Sequence, residues 1–223
     1  MINDLRFALR ALARSPVFTS ASVLMLGVGI GPAIFMFGAI NIYALKPLPF
    51  PNADELVSIQ YTDSETGRRN LAVPLIDWLD LRDRQQSMRS LQAYSVGTMS
   101  IGGIEGPPER LSGAWVSDDA FSTLGARPSL GRGFTAEDSQ KGAAPVALIG
   151  ERAWQLQFNA DPNVVGRQMR INGKPTSVVG VMPARFAFPV AEAIWMPLST
   201  DRAFAASDAA QDVKTFGRLH DGE

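Results

Sequence analysis

Few side chains in this sequence could do covalent or acid–base chemistry. There is one histidine, His220, and no cysteine. A Ser-His-Asp relay needs a histidine to carry the proton, so any such site would have to be built on His220. A zinc site with several histidine or cysteine ligands is excluded by the same count. Among the acids, the adjacent pairs Asp118-Asp119 and Glu137-Asp138 are the ones to weigh. A carboxylate pair can divide acid and base work when its surroundings push the two pKa values apart. Each pair also has a plainer reading. Ser117-Asp118-Asp119 stands where a short helix is expected to begin, and Ser or Asp there accepts from the free N–H groups of the first turn. Glu137-Asp138 ends the Gly-rich stretch Pro128–Asp138, where adjacent acids are ordinarily solvated. Gly27-Val28-Gly29-Ile30-Gly31 lacks the G-x-x-x-x-G-K-[ST] spacing of a phosphate cradle. No residue is therefore assigned a catalytic, cofactor-binding or metal-binding role. No cofactor is expected, and the chain is not expected to be an enzyme.

The element that organises the rest is the stretch Ser15–Leu45. It holds 31 residues, none of them Asp, Glu, Lys, Arg or His, and 20 are apolar. About 20 apolar residues suffice to cross a bilayer core, and a helix satisfies its own backbone where lipid cannot. As a helix the run would measure roughly 46 Å, more than the hydrocarbon needs. A signal peptide has an apolar stretch of only ~7–15 residues and then a small-residue cleavage site. The exit Asn41-Ile42-Tyr43-Ala44-Leu45-Lys46 offers no clear site of that kind. Arg6, Arg10 and Arg14 precede the run against one acid, Asp4, which predicts a cytoplasmic N-terminus. The remainder carries 18 basic and 21 acidic residues, close to neutral, and no nucleic-acid surface is expected.

The expected organisation has three parts: a cytoplasmic amphipathic helix over 1–16, a transmembrane helix over 17–45, and an extracytoplasmic domain over 46–223. Leu5, Leu9 and Leu12 share one face of the first helix, and the three arginines share another. Gly27 and Gly31 allow close approach of a second helix, and Pro32 favours a kink. Lys46-Pro47-Leu48-Pro49-Phe50-Pro51 predicts a stiff, extended exit.

In the domain, Leu56–Tyr61 reads as a strand and Asp63–Asn70 as a polar turn. Pro74–Arg84 reads as a helix with Leu75, Trp78 and Leu79 inward. Leu91–Ile101 and Arg110–Val116 read as strands joined through glycines and prolines. Gly125 is expected to close a short helix in a left-handed cap. Val146–Ile149 reads as a buried strand and Glu151–Phe158 as a short helix. Asn172-Gly173 predicts a type I′ hairpin turn between Arg170-Ile171 and Ser177–Val181. A strand near Ile194–Met196 precedes an unspecified Ala-rich segment, Ala203–Ala210. Strands and short helices mix without βαβ regularity, so the fold class is α+β.

Several blocks, in order, carry a family resemblance. They are Asp4–Arg10 with Ser15–Thr19, Leu26–Gly31, Leu45–Phe50, Leu124–Pro128, Gly131–Phe134, Asp161–Arg167, Ile171–Gly173 and Val179–Pro183. The chain resembles the N-terminal part of bacterial ABC transporter permeases of the MacB/FtsX type, with a MacB-like periplasmic core domain. The resemblance implies a non-catalytic membrane subunit or fragment that couples a cytosolic ATPase to periplasmic conformational change in export or efflux. It places the chain in the cell inner membrane, single-pass, with its C-terminal domain periplasmic. The implied partners are the lipid bilayer, a cytosolic ABC ATPase subunit, and other permease segments or a second permease copy in a homodimer. The family carries three later spans. No second long apolar run follows residue 46, so a truncated or split product is expected. The alternative is a single-pass extracytoplasmic binding module, for which Trp78, Trp115, Trp154 and Trp195 would offer contacts if they were not core.

Overall fold

The computed structural model describes residues 14–40, 50–62, 67, 69–70, 72–102, 109–184, 186–189 and 194–220. Residues 1–13 of the amphipathic helix expected over 1–16, and most of the proline-rich exit, lie outside the described residues. Contacts divide the chain into two compact units, Met1–Pro49 and Phe50–Glu223.

In the first unit, helix α1 runs over Pro16–Ile40. Proline suits its first position, where an N–H would find no intrahelical partner. The window Pro16–Gly38 is long and apolar enough to cross a membrane, and none of it is buried in protein. Two of its hydroxyls are spent locally: Thr19 Oγ1 donates to the Ser15 carbonyl at 3.0 Å and Ser20 Oγ to that of Val17 at 3.1 Å. Pro32 lies inside the helix.

The second unit is built on a mixed sheet. Its strands are β1 (Leu56–Ile59), β4 (Ala72–Val73), β5 (Met88–Gly102), β6 (Glu109–Val116), β7 (Leu130–Gly131), β8 (Val146–Gly150), β9 (Gln168–Ile171), β10 (Lys174–Met182), β11 (Ile194–Pro197) and β12 (Val213–Leu219). The order along the sheet is β1-β12-β5-β6-β11-β8-β10-β7, with β4 on β12 and β9 on β10 and β5. β8 with β10 and β6 with β11 are parallel pairs; the others are antiparallel. Two short strands, β2 (Tyr61–Thr62) and β3 (Arg69–Asn70), form a separate ribbon. The helices are α2 (Leu75–Arg84), α3 (Ala120–Thr123), α4 (Glu151–Phe158) and α5 (Arg202–Ala205). This is the α+β domain that the sequence predicts.

Three apolar groups hold the layers together. Leu75, Trp78 and Leu79 recur at i, i+3 and i+4, so one face of α2 packs them with Leu91 and Val213. Phe158 and Ala153 of α4 cover Met99, Ile149 and Ile194. Phe121 and Leu124, around α3, pack with Leu148, Met182 and Trp195. The β9–β10 turn has φ of 51° at Asn172 and 78° at Gly173, as a type I′ hairpin requires. Asn172 also docks that hairpin on β5: its Oδ1 accepts from Ser100 N–H at 2.9 Å, and its own N–H donates to the Ser100 carbonyl at 2.7 Å.

Some expectations are corrected. Ser117 does not cap α3; its hydroxyl donates to Gln92 Oε1 at 2.6 Å and accepts from Ala93 N–H at 3.1 Å. A serine in a buried strand-end satisfies neighbours that water cannot reach, and this outweighs a cap. Asp119 occupies the N-cap position without a side-chain capping bond. Gly125 does close the helix in the left-handed region, at φ 69°, with Ala126 N–H donating to the Phe121 carbonyl at 2.8 Å. The segment over 203–210 begins within α5, which is capped by Asp201 through Ala203 N–H at 3.0 Å. The strand β12 was not anticipated. It lies between β1 and β5 and also pairs with β4.

Candidate functional site

Of the carboxylates singled out by the sequence, Asp119, Glu137 and Asp138 are engaged within their own turns. Asp138 Oδ2 accepts from Arg132 Nη1 at 2.6 Å and from Thr135 N–H at 2.9 Å, while Oδ1 accepts from Arg132 Nη2 at 3.0 Å. Together with the Thr135 side chain this forms a capping box on the 3-10 turn Ala136–Ser139. Burial works to raise the Asp138 pKa, but the Arg132 guanidinium and the Thr135 donors outweigh it and hold it low. Glu137 is also lowered, first by the Thr135 hydroxyl. Both are carboxylates at neutral pH, so neither keeps the proton that a general acid would give. Asp119 Oδ1 accepts from Ser122 Oγ at 3.2 Å, within its own turn. His220 is exposed and makes no side-chain hydrogen bond among the described residues. Among the described residues, no group of three or more His, Asp or Glu could hold a metal ion.

The tryptophans are framework as well. Trp78 and Trp195 are fully buried. Trp195 Nε1 donates to the Phe188 carbonyl at 2.7 Å, and Trp154 Nε1 to that of Asp161 at 2.8 Å. Trp115 lies against Gly97 on the neighbouring strand.

The motif blocks fix the paths of crossing loops. Asp161 Oδ1 accepts from Asn163 N–H at 2.9 Å and Oδ2 from Arg167 Nη1 at 3.0 Å, while the Arg167 guanidinium lies 5.4 Å from the Phe158 ring centre. Gly131 and Gly180 face each other where β7 meets β10. A Cβ on Gly131 would collide with the Val179 carbonyl oxygen, and one on Gly180 would come within 2.7 Å of the Leu130 and Arg132 carbonyls.

The most organised polar constellation lies where the chain enters the second unit. The lead-in segment Pro51–Glu55 makes a turn in which Asn52 is left-handed, at φ 49°. Arg218, on β12 opposite Leu56, reaches across it. Its Nε donates to the Thr123 carbonyl at 3.1 Å. Nη1 donates to the Asn52 carbonyl at 2.9 Å and to Glu55 Oε2 at 2.7 Å. Nη2 donates to the Pro51 carbonyl at 3.0 Å and again to Thr123 at 2.9 Å. All five donors of the guanidinium are thus used, in the planar fork that lysine cannot reproduce. The side chain is only 11% exposed. Beside it, Pro51 rests on Gly125, where a Cβ would meet the proline ring at 2.9 Å. Together these residues wall a polar cleft of about 430 Å³. Since Arg218 and Glu55 are spent on each other and on backbone, the arrangement is a joint between segments. It offers no reactive pair.

Sequence reasoning found Gly125 but not Arg218. The available signal was the β-type run Val213-Lys214-Thr215-Phe216-Gly217-Arg218-Leu219, whose Lys214 points outward between buried Val213 and Thr215. Glu55 and Arg218 are 163 positions apart, so no local pattern links them.

Comparison with known proteins agrees with this architecture. The family model for the MacB-like periplasmic core domain matches residues 18–223. The chain therefore belongs to the MacB-like periplasmic core domain family, the periplasmic domain of MacB-like ABC transporter permeases. Solved structures share the fold. The periplasmic region of MacB from Actinobacillus actinomycetemcomitans superposes with a TM-score of 0.55 at 17% identity, covering 76% of this chain and 76% of that one. The extracellular domain of the noncanonic ABC-type transporter YknZ from Gram-positive bacteria gives 0.53 at 15%, covering 75% and 84%. A domain assigned to a permease protein from Porphyromonas gingivalis gives 0.58 at 13%, covering 78% and 79%. No curated protein matches the chain in sequence.

Proposed function

We propose that the chain is a non-catalytic part of an ABC transporter permease, relaying the cycle of a cytosolic ATPase to the periplasmic side during export or efflux. In this reading residues 1–16 lie on the cytoplasmic face, 17–45 span the inner membrane once, and 46–223 form the periplasmic domain. The chain works beside other permease segments or a second copy of itself. The observation that carries the reading is the family match over 18–223, which runs from the apolar helix through the whole α+β domain. Arginines before the span and a near-neutral body after it support the orientation.

Two measurements test it. Affinity purification of the tagged chain from its own membranes in mild detergent should recover an ABC ATPase or a further permease segment. Protease added to spheroplasts should digest the domain and spare the N-terminus. Recovery of neither partner, or a domain sheltered from the protease, would overturn the reading.

A further inference from the structure

The five bonds of Arg218 join three stretches of chain that are remote in sequence: the lead-in turn, the end of α3, and β12. The contact of Pro51 with Gly125 repeats the link between the first two. β12 in turn is hydrogen-bonded to β1 and β4 on one side and to β5 on the other. We propose that Arg218 and Gly125 make the lead-in turn, α3 and β12 one body, so that displacing Pro51–Glu55 displaces α3 and the sheet with it. The lead-in turn is the first part of this unit that the chain reaches after α1. A guanidinium held by five bonds to four acceptors resists shear, because sliding any one segment breaks bonds to the other two. Gly125 adds a steric stop. Its left-handed φ and the proline above it leave no room for a side chain.

What drives the displacement rests on the proposed permease role. The coupling itself belongs to the domain and is tested without transport or ATPase.

The test uses amide hydrogen exchange on the full chain in detergent micelles. The reporters are the N–H groups of residue 55, bonded to the Asn52 carbonyl, and of residues 125 and 126, bonded to those of Ser122 and Phe121. Glu55→Gln removes a charge on the lead-in side alone. With Arg218 in place it should speed exchange at residues 55, 125 and 126 by a common factor of about ten, the size of one weakened charged hydrogen bond. In the Arg218→Met background Glu55→Gln should add no further change at 125 and 126. Protection of Leu148 on β8 should stay unchanged throughout and reports that the domain is folded. If Arg218→Met loses that protection, Arg218→Lys replaces it, keeping the charge without the fork. Acceleration at residue 55 alone in the Glu55→Gln protein would overturn the proposal. So would an equal response at 125 and 126 whether or not Arg218 is present.

Discussion

Replacing Gly131 by alanine should weaken the domain far more than the same change two residues later. Gly131 has φ 75°, a conformation that costs an L-residue roughly 1–2 kcal/mol. Its Cβ would also meet the Val179 carbonyl oxygen and would stand 2.8 Å from Gly180 Cα, both backbone atoms of the neighbouring strand β10. Strand β7 must then lift away from β10. That movement strains the Ser129 N–H bond to the Val181 carbonyl at 2.8 Å and the Arg132 N–H bond to that of Val179 at 2.9 Å. At about 1 kcal/mol for each hydrogen bond, the loss comes to about 3 kcal/mol with the conformational cost. For a domain of this size about 3 kcal/mol lowers Tm by roughly 10 °C. Gly133→Ala is the control, since a Cβ there meets nothing within 4 Å and its φ is ordinary. Circular dichroism melts of both variants in the same detergent give the comparison. A Tm for Gly131→Ala within about 2 °C of the Gly133→Ala value would refute the reasoning.

Other outcomes follow from the same geometry. Ala160 is a non-glycine residue at φ 54°, so Ala160→Gly should stabilise by about 1 kcal/mol, seen as a raised Tm. Phe121 is 3% exposed and meets the rings of Phe134, Phe186 and Trp195 at 5.7–6.0 Å, so Phe121→Ala should cost ~3–5 kcal/mol in urea titration. The folded pKa of Asp138 lies below its ordinary value of 3.8, so its stabilisation is complete above that value and is lost as pH falls through the folded one. The stability gap between the parent chain and Asp138→Asn should therefore be flat from neutral pH to about pH 5 and narrow below the ordinary value, in melts across an acid series.

Much of the local structure was legible in the amino-acid order. An uncharged run long enough to span a bilayer needs no tertiary partner to be read, because composition alone decides its solvent. Asn172-Gly173 and Gly125 were equally plain, since each answers to the φ its own turn demands. The inward face of α2 followed from apolar spacing at helical period. The acid pairs could be doubted from the sequence, but only the fold supplied Arg132 and Thr135 as the reason Asp138 stays ionised.

What tertiary structure alone decided are the pairings between residues distant along the chain. β12 is hard to read from the sequence because its alternation is imperfect: Phe216 and Gly217 are both buried where one should face out. The parallel partnerships of β8 with β10 and of β6 with β11 leave no mark in either strand's own residues. Arg218 reads as one more surface cation until the sheet brings it to Pro51, Asn52, Glu55 and Thr123. Turn and helix signals are local because they express the dihedral preferences of a few neighbouring residues. The joint depends on where the backbone carbonyls of other segments come to lie, and folding sets that position.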